Sequence, residues 1–239
     1  MISFIVPTLN EESVIERIIK CLSGYSGDKE IIVSDGRSSD KTVEIAKRLG
    51  AKVVIEEGTK VRNIASGRNW GAKHASGDFL VFIDADVFIP DINRFFSKAL
   101  KIFEVRKKLV AMTVKIKVFP KMATLPDKMV FGYMNFFHFM VNNVFCYGVS
   151  PGEFQMMRRQ VFDKVGGFNE RLAASEDYDM FMRISKIGRT RFEKELTVYH
   201  TGRRAHTIGW PRLLTKWFLN SFYMFFFDRS FDYKWREIR

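Results

Sequence analysis

The chain of 239 residues carries 39 Lys and Arg against 27 Asp and Glu, a formal net charge of +12, and 46% of it is hydrophobic. That apolar content excludes a disordered tail, and the two cysteines, Cys21 and Cys146, exclude a disulfide scaffold and fit a reducing compartment. The length suits one large domain or a domain with an appendage, and the basic excess points to an anionic partner: nucleic acid, a phosphorylated ligand or a membrane surface.

Met1–Pro7 is a short apolar run soon followed by Glu11 and Glu12, so no secretory signal is expected there. Within it, Ile2–Val6 reads as a buried strand. Pro7 to Asn10 breaks the run, and Thr8 or Asn10 can cap a helix that turns Val14, Ile15, Ile18, Ile19 and Leu22 inward. Glu30–Ser34 is a second strand, ending at Asp35-Gly36. Ser38 to Asp40 starts a helix with Val43, Ile45, Ala46 and Leu49 inward, and Gly50 stops it. Ala51–Ile55 is a third strand, and a helix is expected from about Val61 to His74. Phe79–Ile83 is a fourth strand that ends at Asp84-Ala85-Asp86. Strand and helix alternate with short connections, which predicts an α/β fold with a mostly parallel sheet flanked by helices. In such sheets ligands sit beyond the carboxyl ends of the strands, where Thr8–Glu12, Asp35–Asp40 and Asp84–Asp86 fall.

The second half is less regular. Leu109–Phe119 alternates Val114, Ile116 and Val118 with Lys115 and Lys117, as a half-exposed strand does. Pro126–Tyr147 reads as an aromatic helix, Gly152–Met157 as a strand, Arg159–Val165 as a short helix, Asp177–Gly188 as a helix and Thr190–His200 as a closing strand.

The charge is uneven. Residues 1–97 hold 13 basic and 14 acidic side chains, 98–128 hold 9 and 2, 129–202 hold 9 and 8, and 203–239 hold 8 and 3. The two basic blocks adjoin aromatic runs free of Asp, Glu, Lys and Arg: Met129–Ser150 and Trp217–Phe227. A spanning helix needs about 20 apolar residues. The second run is too short, and the first is interrupted by Asn135, His138, Asn142, Asn143 and two glycines. A buried or membrane-surface helix fits better.

Several polar groups can carry chemistry. Asp84 and Asp86, one residue apart past a strand, can turn toward one ligand, and Mg2+ or Mn2+ prefers such oxygen donors; a polar strand end is the plainer account. Asp35 can accept from a base or ribose, or serve only as a turn residue. Arg68 can pair with phosphate, stack on a base or be solvated. Glu176 and Asp177 suit a helix N-terminus electrostatically, and one can act as general base. His200 matters only if it meets Asp86 across the cleft.

In order, Phe4–Glu12 (FIVPTLNEE), Ser34–Thr42 (SDGRSSDKT), Gly67–Gly71 (GRNWG), Ala75–Asp86 (ASGDFLVFIDAD), Val165–Asn169 (VGGFN) and Ser175–Phe181 (SEDYDMF), with His200 following, resemble the family 2 glycosyltransferases of GT-A fold. The resemblance implies an inverting, metal-dependent enzyme using a UDP- or GDP-linked sugar, with Mg2+ or Mn2+. By motif position it implies Pro7, Thr8, Leu9, Glu11, Asp35, Arg68, Asp84 and Ala85 at the nucleotide, and Asp86, Asp84 and His200 at the metal. Asp177 matches the general base, with Glu176 supporting it. Many relatives have an aromatic where Leu9 stands, which leaves base stacking there without its usual partner.

The expected organisation is a GT-A domain over 1–204, with a nucleotide-binding half at 1–97 and an acceptor half at 98–204. Residues 205–239 form a basic, aromatic, helical C-terminal appendage on a membrane surface. The expected acceptor is lipid-linked and the expected place is peripheral, on the cytoplasmic face of the cell membrane. A soluble enzyme with a saccharide acceptor, its aromatic runs in the core or a homodimer interface, is the alternative. A nucleotidyltransferase lacks its Gly-rich phosphate loop here. Nucleic acid is not an expected partner, because the basic excess lies outside the N-terminal half and interleaves with Phe and Met in apolar runs.

Overall fold

The computed structural model describes residues 1–57 and 63–232. Its centre is a seven-stranded sheet in the order β3-β2-β1-β4-β6-β5-β7. The strands are β1 Ile2–Thr8, β2 Lys29–Asp35, β3 Lys52–Ile55, β4 Phe79–Ile83, β5 Leu109–Val118, β6 Phe154–Arg158 and β7 Arg189–His200. β1 pairs in parallel with both β2 and β4, and β5 in parallel with β7. β6 alone runs against its neighbours β4 and β5. The expected α/β fold is therefore present, and the one antiparallel strand explains why the second half of the chain lost its strand–helix rhythm.

Helices cover both faces: α1 Ile15–Ser23, α2 Thr42–Arg48, α3 Ile64–Lys73, α4 Ile92–Val105, α5 Leu125–Phe139, α6 Arg159–Val165 and α7 Glu176–Ser185. The continuous apolar runs of β1 and β4 feed both layers. Phe4, Val6 and Val81 pack on the α1/α4 side, while Ile5, Leu80 and Phe82 pack on the α3/α7 side. α4 has no counterpart among the expected elements. Its Ile92, Phe95, Phe96, Ala99 and Phe103 are buried at helical spacing, and Asp91 caps it by accepting from the Arg94 amide at 3.2 Å. The start expected for α3 at Val61 lies outside the described residues; Asn63 caps the helix in a reciprocal box with Ser66.

The aromatic helix expected over 126–147 is shorter. α5 ends at Phe139, and a wider turn follows through Val144. Asn142 accounts for this. Its amide donates to the carbonyls of His138 and Val149 at 2.9 and 2.8 Å, and its oxygen accepts from Thr190 at 2.8 Å. β5 is also more buried than expected: only Lys117 is exposed along it. After β7 come α8 Arg203–Ile208 and α9 Trp210–Phe227. They are fastened to α5 through Asp127, which is 1% exposed and accepts from His206 at 2.8 Å and Trp210 at 2.9 Å. Burial alone would raise this carboxyl; the donors, His206 first, hold it down at about 2. Among the described residues no helix is long and apolar enough to cross a membrane.

Candidate active site

The carboxyl ends of β1, β2 and β4 open onto a cavity of about 420 Å3. Every site residue singled out from the sequence lines it except Asp35. Asp35 is fully buried, and its carboxylate ties the turn after β2 to the end of β1. It accepts from the Ser38 amide at 2.7 Å, the Ser38 hydroxyl at 2.6 Å and Thr8 at 3.0 Å. Pro7, Thr8 and Leu9 form the wall above it.

Arg68, 1% exposed, is the centre of the site. α3 aims it across the ends of β4 and β6. It donates to Glu176 at 2.7 Å, to Asp84 at 3.3 Å and to the Gly152 carbonyl at 3.0 Å. Its guanidinium also lies 5.2 Å from the centre of the Phe168 ring. Gly152 permits this approach: a Cβ there would sit 2.9 Å from Arg68 Nη2 and 3.3 Å from Asp177 Oδ2. Arg68 therefore organises carboxylates here, and Glu176 is the partner that holds it.

Asp86 is buried, accepts from the Thr201 hydroxyl and lies 3.5 Å from Arg203 Nε. The same Arg203 clamps Glu11 with two bonds of 2.7 Å. This pair is separated by 192 positions, and no local signal in the sequence reveals it. His200 is 8% exposed, and burial lowers its pKa, so the ring is neutral. Its Nδ1 accepts from the Gly202 amide at 3.4 Å, while its buried Nε2 has no partner.

α7 delivers Glu176 and Asp177. Ser175, just before it, sits at φ +66°, a left-handed value that a non-glycine residue holds only when its surroundings enforce it. Asp177 Oδ1 accepts from the Tyr178 amide at 2.8 Å. Burial first, and then the charge of Glu176, raises the Asp177 pKa well above the ordinary carboxylate range. Burial raises Asp84 to about 7 against the pull of Arg68, and raises Glu153 to about 7 as well. Glu153 escapes a sequence reading because its place depends on β6 running antiparallel to β4. That pairing brings the Asp84 amide within 3.3 Å of the Glu153 carbonyl. The opposite wall is apolar, with Phe131 and Met134 from α5 and Trp210, Leu213 and Trp217 from α9.

The family model for Glycosyl transferase family 2 matches residues 3–166, most of the chain. The chain belongs to glycosyl transferase family 2. Among curated members, it is 27% identical over 192 residues to the succinoglycan biosynthesis protein ExoA of Rhizobium meliloti, which covers 77% of this chain and 58% of that protein. It is 40% identical over 90 residues to a 4,4'-diaponeurosporenoate glycosyltransferase of Staphylococcus haemolyticus, covering 36% and 24%. The chain thus spans little more than half the length of the first of these family 2 relatives, and less of the second.

Solved structures share the GT-A fold. A Pyrobaculum calidifontis mannosyltransferase, PcManGT, in complex with GDP-Man and Mn2+, superposes with a TM-score of 0.67 at 21% identity, over 84% of this chain and 56% of that one. S. aureus TarS 1-349 in complex with UDP-GlcNAc gives 0.64 at 24%, over 83% and 57%.

Proposed function

We propose that the chain transfers a sugar, with inversion, from a UDP- or GDP-linked donor to a hydroxyl of a lipid-linked acceptor at a membrane surface. One observation carries this reading. A single cavity gathers the Asp84-Ala85-Asp86 segment, the Arg68–Glu176 pair, Asp177 and His200 on one side, and an aromatic wall on the other. The donors named in the PcManGT and TarS complexes support a nucleotide sugar.

The donor set fits a divalent cation that the diphosphate completes. Asp84 and Asp86 offer oxygens, and neutral His200 can offer Nε2, buried without a partner, in the tautomer that carries its proton on Nδ1 in place of the long 3.4 Å contact with the Gly202 amide. No group of three His, Cys, Asp or Glu among the described residues is arranged to hold a metal alone. When bound, the cation would offset charge on the leaving nucleoside diphosphate. Asp177 accepts the proton of the acceptor hydroxyl as its oxygen forms the bond to the anomeric carbon. The bond from that carbon to the diphosphate breaks on the opposite face, and the diphosphate leaves with the electron pair. Arg68 stays paired to Glu176 and keeps Asp84 and the start of α7 in place.

With Mn2+ present, UDP-glucose or GDP-mannose should raise the melting temperature of the wild-type protein, because a ligand of the native state stabilises it by linkage. Asp86→Ala should abolish the Mn2+-dependent part of that rise. A full rise in the variant removes Asp86 from the metal site, and no rise with either donor in the wild type removes the nucleotide-sugar reading.

The membrane part rests on the outer faces of α5 and α9, the helices that supply the aromatic wall. Leu125, Met129 and Tyr133 are 67–70% exposed, and Phe218, Phe225 and Phe226 are 59–68% exposed. Basic side chains accompany them: Lys121 before α5 and Lys128 within it, Arg212 and Lys216 on α9 and Arg229 just after it. Rings favour the interfacial zone, and each basic residue near an anionic surface contributes about 1 kcal/mol. The expected result is flotation with phosphatidylglycerol-containing liposomes, weakened by salt and by Phe218→Ser/Phe225→Ser. Absence of flotation at low and high salt removes the membrane part. A salt-independent dimer on sizing assigns the aromatic faces to a second copy of the chain.

A further inference from the structure

We infer that Glu153 selects the transferred sugar: its carboxylate accepts hydrogen bonds from hydroxyls of the donor's sugar ring. This rests on the nucleotide-sugar reading above and adds a residue and a specificity to it. Glu153 precedes β6, and its placement is rigid. Phe154 pairs with Ile83 across the sheet, and the Asp84 amide donates to the Glu153 carbonyl. The side chain lines the cavity beside Asp84 and Asp86.

The other carboxylates of the cavity are engaged. Glu176 and Asp84 are held by Arg68, Asp86 by Thr201 and Arg203, and Glu11 by Arg203. Asp177 takes the Tyr178 amide and has the role of base. Among the described residues, Glu153 receives only its own amide, and Arg68 and Arg204 influence it through charge alone. An ionised carboxylate only accepts hydrogen bonds and an ionised phosphate donates none, so the diphosphate does not bond to Glu153 directly. A neutral, hydroxyl-rich group can. Each carboxylate oxygen can take one hydroxyl of a vicinal pair.

Its position specifies which hydroxyls. Glu153 stands beside both Asp84 and Asp177: its carbonyl accepts from the Asp84 amide at 3.3 Å, and a Cβ on the preceding Gly152 would sit 3.3 Å from Asp177 Oδ2. With the diphosphate at Asp84 and Asp86 and the attacking hydroxyl at Asp177, the group between them is the ring being transferred. A sugar lacking the matching hydroxyl, or holding it in the other configuration, leaves a desolvated carboxylate unpaired. That mismatch is what gives a polar site strong discrimination.

The test measures binding of UDP, UDP-glucose, GDP and GDP-mannose by calorimetry with Mn2+ present. Glu153→Gln should weaken the preferred nucleotide sugar by about ten- to a hundred-fold and leave its free nucleoside diphosphate within about two-fold. With the wild-type protein, which carries no folding risk, deoxy analogues of that sugar should lose affinity at one position or two adjacent ones. Glu153→Gln should be indifferent to those same deletions. Equal weakening of nucleotide and nucleotide sugar, or uniform tolerance of every deoxy analogue by the wild type, overturns the inference and leaves the nucleotide-sugar reading standing. No binding of any of the four ligands by the wild type overturns both.

Discussion

Arg68→Ala should cost about 3–5 kcal/mol of folding stability, the usual result of removing one partner from a buried ion pair. In a chain of this size that is a fall in melting temperature of roughly 10 °C. The reason is specific. Arg68 is 1% exposed, and without it Glu176, 5% exposed, is left buried with no cation bonded to it, and the half-buried Asp84 loses its ion-pair partner. The Gly152 carbonyl loses its donor as well.

The deficit depends on pH, and its sign follows from Asp84. Burial raises this carboxyl from 3.8 to about 7 even with Arg68 beside it. Stability from a group raised in the fold is fully present below its unfolded value and is lost as pH rises through the folded value. The unliganded wild type should therefore lose stability between about pH 4 and 7, with Glu153 acting in the same direction. Removing Arg68 takes away the one charge that lowers Asp84 most, so the loss extends to higher pH and the gap between variant and wild type widens above pH 7. Arg68→Lys keeps the charge but lacks the fork that reaches Glu176, Asp84 and Gly152 together, and should fall between the two. Melting curves at pH 5 and 8 check this. A variant that matches the wild type at pH 8 would show that Arg68 does not organise the site.

The first half of the fold was legible because its signals are local. β1, β2 and β4 are short apolar runs that end in polar turns, and α1 repeats its apolar residues at helical spacing. α4 carries the same kind of signal and its absence from the expected elements has no deeper cause. The second half depends on pairings that no window contains. β6 is antiparallel because the chain returns to β4 from beyond α5, and only that pairing places Glu153 beside Asp84. Arg203 reaches Glu11 across almost the whole chain.

The site shows the same division. Asp84, Asp86, Glu176 and Asp177 stood out because acidic pairs beside strand or helix ends are rare without cause. Their partners did not. Arg68 read as a group for phosphate or base, yet its guanidinium is occupied by carboxylates. Asp35 read as a base contact or a turn residue, and its three hydrogen bonds lie within the turn and to Thr8. The aromatic segments were legible as runs but not as faces. Only the fold shows that α5 and α9 give one side to the cavity and leave the other exposed.

Asp177→Asn should reduce transfer by about 10²- to 10⁴-fold in kcat, the range for loss of a general base. Donor binding should be nearly unchanged, because Asp177 bonds neither Arg68 nor Asp86 but only the Tyr178 amide. Glu176 cannot substitute for it while Arg68 occupies its carboxylate at 2.7 Å. The wild-type rate should climb with pH toward the raised titration of Asp177, since a base works only when deprotonated, and the Asn variant should lose that climb. A rate retained within about ten-fold would mean that no proton needs to be removed in the transition state. The acceptor would then attack through an oxygen that is already anionic, as a lipid phosphate does, and Asp177 would bind or position it. The pH profile separates the two cases. A hydroxyl acceptor ties the rate to Asp177, whereas a phosphate acceptor leaves wild type and variant with the same profile.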